Sequence, residues 1–297
     1  MNNLPSSGAC DCHVHIVGPA SQYPQVADRS YTADLASIET LRGLGRPMGV
    51  TRFVLVQPSF YGMDNTCVLD TLDALEGNGR GVVVVDPLVF TSKQIEEYGQ
   101  RGVCGVRVNF YSKFNPLASA GVGEVLRRFM AILPRKGWHI EIIANLDTVI
   151  DAESAIRSST LPIILDHYGV PGDATPESAP GRKLLDLLRL PHMWMKVSAP
   201  YRVGAADPVA TVPPADWLAA LTAAAPDRCV WGSDWPHPPS RGDQKDKNAT
   251  LPYRNIDYRR LLTDFLQALP DPALAERILV SNPARLYGFG AAQSLAV

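Results

Sequence analysis

Gly105-Val-Arg-Val-Asn109, a stretch of helical period from Val122 to Leu133, and His139-Ile-Glu-Ile-Ile143 together decide the fold. The two outer segments are short, β-branched and apolar at most positions, as expected of strands covered on both faces in a parallel sheet. The middle segment places apolar residues at 122, 125, 126, 129, 132 and 133, the spacing of one helix face. Strand, helix and strand in that order make a βαβ unit.

The unit extends in both directions. Ala9-Cys-Asp-Cys12, Arg52-Phe-Val-Leu-Val-Gln57 and Gly81-Val-Val-Val-Val-Asp86 precede it. Pro162-Ile-Ile-Leu-Asp-His167, Trp194-Met-Lys-Val-Ser198 and Cys229-Val-Trp-Gly-Ser-Asp234 follow it. Further helical periods run from Asn65 to Leu75 and from Tyr258 to Leu269, and Asp271-Pro272 has the form of a helix start. Eight strands alternating with helices in 297 residues is the arithmetic of a (β/α)8 TIM barrel. A doubly wound open sheet shows the same alternation, and periodicity alone does not separate the two. No linker or internal repeat divides the chain, so the expectation is one domain over residues 1–297. The Pro/Gly-rich segments 170–181, 203–214 and 236–255 each follow a strand and read as βα loops, which in a barrel build the active-site face.

Charge narrows the class of partner. With 28 basic and 30 acidic residues the net charge is −2, and no basic run exists to track a nucleic acid. No apolar stretch approaches the ~18 residues that span a bilayer. The opening Met-Asn-Asn-Leu-Pro carries neither part of a secretory signal. Five cysteines, none in C-x-x-C spacing, read as free thiols of a reducing compartment. The expectation is a cytoplasmic protein acting on a small molecule, with no nucleic acid or membrane partner and its oligomeric state open.

Chemistry gathers at strand ends. In Asp11-Cys12-His13-Val14-His15 the two histidines are two residues apart, so on a strand both face the same side. His167 ends a later strand and Asp234 ends the last. Three imidazoles and one carboxylate from three strand ends would then meet at one rim. Taken singly, each has a plainer explanation: the histidines as hydrogen-bonded loop residues, Asp234 as a structural acid capping its loop. Arg107 lies inside a strand, where an unpaired guanidinium is very costly, so it needs a structural carboxylate or an anionic substrate. Lys196, also inside a strand, reads as half of a buried ion pair. His237 either orients Asp234 and its loop or touches substrate. His139, at a strand start, reads as structural, His192 as exposed, and Asp64-Asn65 as a helix cap.

Taken together, DCHVH (11–15), LDHYG (165–169), WGSDWPH (231–237) and NPARLYGF (282–289) resemble the amidohydrolase superfamily. VQPSFYGMDN (56–65), GVRVNF (105–110), KGWHIEI (136–142) and KVSAPYR (196–202) place the resemblance in the branch of the 2-pyrone-4,6-dicarboxylate hydrolases. It runs from about residue 8 to 289 and implies a barrel that hydrolyses a small carboxylated lactone. It implies Asp234 as the general base and His13, His15 and His167 around the scissile carbonyl. Arg107 and Arg202 match arginines that hold substrate carboxylates, and Ser59 and Tyr31 match further substrate contacts. Two positions depart: Lys113 stands where a second arginine aligns, and Ile143 where the family hydrolase has a substrate-contacting tyrosine. Lysine keeps the charge and loses the bidentate fork.

The same inventory bears on metal. Arg107, Asn109, Ile143, Ala144 and Asn145 supply none of the bridging ligands a two-metal site needs. His13, His15, His167 and Asp234 could hold one Zn2+ or Mn2+, but Arg107 opposes a dication, and the expectation is catalysis with no cofactor. Rival readings are a sugar-acid lactonase or lactone isomerase of the same group, and a zinc-dependent decarboxylase.

Overall fold

The computed structural model describes residues 8–110, 120–204, 207–239, 246 and 249–290. Eight strands form one sheet: β1 (Ala9–Val14), β2 (Val50–Val56), β3 (Gly79–Val83), β4 (Val103–Asn109), β5 (His139–Ile143), β6 (Ile163–Leu165), β7 (Met193–Ser198) and β8 (Cys229–Gly232). They lie in chain order and every neighbouring pair is parallel. Just past β8 the chain returns to β1. Asp234 N donates to His13 O at 2.9 Å and His15 N donates to Trp235 O at 2.7 Å. This parallel bridge between Val14 and Trp235 draws the eighth strand to the first. An open doubly wound sheet would leave two unpaired edges and scramble the order, so the structure decides for the near-closed barrel.

Close approach at the seam depends on Gly232. A Cβ there would fall 2.6 Å from His13 Cβ and 2.9 Å from its backbone nitrogen. Near the opposite end of the barrel Gly105 makes room for His139, whose Nε2 would lie 2.3 Å from an added Cβ. His139 is buried, stacks edge-on to Tyr287, and is pushed down to about 3 by burial.

Helices cover the outside: α1 (Ile38–Gly45), α2 (Thr66–Ala74), α3 (Ser92–Gln100), α4 (Gly121–Ile132), α5 (Leu146–Asp151), α6 (Glu153–Arg157), α7 (Ala179–Leu188), α8 (Ala215–Ala224), α9 (Tyr258–Ala268), α10 (Pro272–Glu276) and α11 (Asn282–Tyr287). α4 buries Val122, Val125, Leu126 and Phe129, and α9 buries Leu261, Leu262 and Phe265, the faces their sequence periods predict. Asp271 caps α10 by accepting Leu274 N at 2.9 Å. Asp64 accepts from Thr66 N at 3.0 Å before α2, while Asn65 instead ties that loop to Val84. His192 differs from expectation: it is half-buried, and its Nε2 donates to Ile156 O at 2.8 Å.

Two apolar layers result. The larger fills the space between sheet and helices; a smaller cluster of Cys12, Val56, Val82, Ile164, Trp194 and Val230 is joined by Tyr287 and Phe289 of the chain's end. All five cysteines are buried free thiols. Among the described residues no helix is long and apolar enough to cross a membrane.

Candidate active site

The strand ends carry unusual backbone. Of the seven described non-glycine residues with positive φ, six follow β6, β7 or β8: His167, Tyr168, Val170, Ala199, Asp234 and His237. Left-handed conformations cost a non-glycine residue free energy and persist where the surroundings over-determine them, typically at functional sites. Here they turn His167 and Asp234 out of their strands toward one cavity. His15, His167, Asp234, Arg107, Arg202, Ser59 and Tyr31 all line it, as do Asn109, Ile143 and three prolines, Pro58, Pro238 and Pro239.

Asp234 is the hinge of the polar arrangement. Its Oδ2 accepts from Tyr201 Oη at 2.7 Å and from Arg202 Nε at 2.9 Å. Its Oδ1 makes no hydrogen bond and faces His15 Nε2 at 3.3 Å and His13 Nε2 at 3.6 Å. Burial works against the charge on Asp234, yet Arg202 and the histidines hold its carboxyl well below the usual carboxylate range. The carboxylate is therefore the form present at neutral pH.

The histidines are fixed from behind. His15 Nδ1 donates to the Val56 carbonyl at 2.8 Å, and His167 Nδ1 lies 2.8 Å from Ser198 Oγ. Burial drives His13 well below the ordinary histidine value and His167 down to about 4, so both rings are neutral at pH 7. His13 does not line the cavity; it sits beneath His15 and His167, whose rings lie 5.0 and 4.7 Å away. His237 does not line it either. Its ring packs against Tyr201, both ring nitrogens are buried without a hydrogen-bond partner, and burial lowers it to about 4. Lys113 lies outside the described residues.

Below the imidazoles lies a charged layer. Lys196 Nζ contacts Glu141 Oε2 and lies 3.1 Å from His13 Nδ1 and 3.6 Å from Asp166 Oδ1. Arg107 donates to Gln57 O at 3.1 Å and reaches Asp166 at 3.6 Å and Glu141 at 4.0 Å. Burial and the neighbouring Asp166 push Glu141 up to about 7, against the pull of Lys196 and Arg107. Burial opposes the charge of Asp166 too, but His13 and Lys196 hold it well below its usual range. Lys196 thus has the buried acid its position in a strand requires, and Arg107 has both structural carboxylates and a place on the cavity wall.

Glu141, Asp166 and Tyr201 were not singled out from sequence. The available signal was Glu141 and Lys196 as lone charges in apolar strands, each too costly to bury without the other. Nothing in the sequence pattern marks Tyr201 for Asp234.

The fit to a metal ion can be tested on these atoms. His13, His15 and Asp234 bring ligand atoms within 4.8 Å of one another, and so do His13, Asp166 and His167. The spacing suits one cation. The donor set does not: the Nδ1 of His13 is addressed by an ammonium, and Asp234, Asp166 and Glu141 already face Arg202, Arg107 and Lys196. Three acids against three fixed cations leave no uncompensated negative charge to offset a buried dication.

Comparison with known proteins agrees with this architecture. The family described as Amidohydrolase matches residues 10–289. A 4-sulfomuconolactone hydrolase from Hydrogenophaga intermedia is 32% identical over 95% of this chain and 89% of its own. A 2-pyrone-4,6-dicarboxylate hydrolase from Comamonas testosteroni is 29% identical over 96% of this chain and 91% of its own. A Pseudomonas putida chain, solved under the provisional name 2-pyrone-4,6-dicarboxylic acid hydrolase, superposes with a TM-score of 0.74 at 26% identity, over 97% of this chain and all of that one.

Proposed function

Because the chain belongs to the amidohydrolase family and has lactone hydrolases among its relatives, we propose that it hydrolyses a small anionic lactone of the 2-pyrone-4,6-dicarboxylate type, without a metal. The observation that carries this reading is the divided carboxylate of Asp234. Its Oδ2 is held by Tyr201 and Arg202, so Oδ1 stays ionised and free beside two imidazole Nε2 atoms. A water placed over the ring carbonyl gives its proton to Asp234 as its oxygen attacks, the general-base role. His15 and His167, which line the cavity, donate N–H to the developing oxyanion, with His13 packed behind them. Collapse breaks the ring carbon–oxygen bond, and Asp234 returns the proton to the departing oxygen. The products are a new carboxylate and an enol or alcohol.

Specificity follows from the wall. Arg107 and Arg202 supply positive charge for substrate carboxylates, with Ser59 and Tyr31 beside them. Pro58, Pro238, Pro239 and Ile143 add apolar patches to a wall that is otherwise polar. The test is a panel of anionic lactones at pH 7–9, on metal-analysed protein, with and without exhaustive chelation. Expected is hydrolysis of dicarboxylated unsaturated lactones, with at least about half of the activity surviving chelation. Turnover confined to polyhydroxy lactones would make the protein a sugar-acid lactonase or isomerase. Activity lost on chelation and restored by one equivalent of zinc would overturn the metal-free mechanism.

A further inference from the structure

Lys196 is a buried cation with three neighbours and no exposure: Glu141 Oε2, Asp166 Oδ1 at 3.6 Å and His13 Nδ1 at 3.1 Å. The first two are carboxylate oxygens. The third is a ring nitrogen whose character depends on where the imidazole proton sits. We infer that Lys196 is a positioning residue that sets the tautomer of His13: its ammonium donates into Nδ1 and keeps the ring proton on Nε2. His13 then faces Asp234 as an N–H donor and has no lone pair for a divalent cation.

The alternative places the proton on Nδ1, donating to Asp166 Oδ1 at 3.3 Å. Two features weigh against it. An ammonium has three protons and no acceptor capacity, so with Nδ1 protonated, two donors would oppose each other at 3.1 Å inside an apolar barrel. Asp166 keeps cationic neighbours without the histidine: Lys196 and Arg107 each lie 3.6 Å from one of its oxygens. With Nδ1 as acceptor, Lys196 faces only acceptors, and the N–H of His13 Nε2 faces Oδ1 of Asp234 at 3.6 Å.

The consequence reaches function in two ways. For the hydrolysis proposed above, on which this part rests, the lock keeps His13 an N–H donor toward the carboxylate of Asp234. For metal chemistry it acts as an exclusion device. His13, His15 and Asp234 have the spacing of a cation site, and Lys196 denies that site one of its lone pairs.

The test begins with nitrogen NMR of the His13 ring in substrate-free, metal-stripped wild-type protein, assigned by comparison with His13→Gln. The expected pattern is a protonated Nε2 and a bare Nδ1; a protonated Nδ1 overturns the inference. The second arm compares Lys196→Met, and the charge-compensated pair Lys196→Met with Glu141→Gln, with the wild type in zinc equilibrium dialysis. Freed from the ammonium, His13 should turn its proton to Asp166. Zinc affinity should then rise by at least about tenfold, the scale on which groups behind a ligand tune a metal site. A folded variant with unchanged tautomer and unchanged zinc affinity overturns the lock. Neither arm needs substrate, so a failure of the lactonase reading leaves these outcomes interpretable.

Discussion

His15 Nε2 lies 3.3 Å from Asp234 Oδ1, while Nδ1 of the same ring donates to the carbonyl of Val56. A carbonyl only accepts, so the first proton of His15 is committed to β2. Nε2 is therefore the ring nitrogen that His15 turns toward Asp234. The resting pair thus holds the base and the electrophile of the proposed reaction side by side.

Asp234→Asn removes the proposed base and keeps the shape. Tyr201 and Arg202 still surround the residue, so the fold and KM should change little. kcat should fall by roughly 10²–10⁴-fold, the usual contribution of a positioned general base. Steady-state kinetics on the substrate found by the lactone panel decide it; a variant keeping more than about a tenth of wild-type kcat would reassign the base.

Arg202 serves both Asp234 and the cavity wall, so its removal should register in the pH profile as well as in KM. The guanidinium is the strongest influence holding the Asp234 carboxyl below its ordinary range. With Arg202→Met the carboxyl loses its cation, its pKa rises, and the carboxylate persists only at higher pH. The acidic limb of kcat/KM should therefore move upward in pH relative to wild type, with a raised KM for dicarboxylated lactones. An unmoved acidic limb would separate Arg202 from the base and leave it a substrate contact alone.

The barrel was legible because its strands are buried on both faces and its helices have one apolar face, patterns that a local sequence displays. The rim was legible where a residue type announces chemistry, as His15, His167 and Asp234 do; His13 carries the same signal but lies beneath the cavity wall. The charged layer beneath it was not. Glu141, Asp166 and Lys196 come from three strands, and only barrel closure brings them onto His13. His237 is the converse case: its motif invites a role in binding, but the left-handed turn at residue 237 buries the ring against Tyr201 and off the cavity wall.

Arg107→Met should be costlier to the fold than Arg202→Met. Arg107 is 5% exposed beside Asp166 and Glu141, whereas Arg202 is 22% exposed at the cavity. Taking one partner from a buried charge network leaves the others uncompensated, at about 3–5 kcal/mol when pairing is tight. The separations of 3.6 and 4.0 Å place Arg107 near or below the lower figure. Urea unfolding of both variants tests the ranking, and KM for a dicarboxylated lactone reports the binding role separately. Wild-type stability in Arg107→Met would make this arginine a substrate contact rather than a counter-ion of the layer.

Asp11 joins β1, β8 and α9, and it should leave a signature in stability against pH. It is fully buried; Oδ1 accepts from Ser233 N at 2.9 Å and His13 N at 3.3 Å, and Oδ2 accepts from Tyr258 Oη at 3.1 Å. Burial outweighs these hydrogen bonds and raises its pKa from 3.8 to about 6. A group whose folded pKa lies above its unfolded value binds more protons in the folded state, so its stabilising contribution is complete below about pH 4 and is lost as pH rises through about 6. Asp11→Asn keeps an oxygen for the two backbone N–H groups and an amide for Tyr258, but cannot titrate. Between pH 7 and pH 5 the unfolding free energy of the wild type, relative to Asp11→Asn, should therefore rise by about 1 kcal/mol. Other titrating groups are common to both proteins and cancel in the difference. Urea unfolding at the two pH values with unchanged m measures it, and a difference that stays flat, or falls on acidification, would show that Asp11 is ionised throughout and that its three donors outweigh its burial.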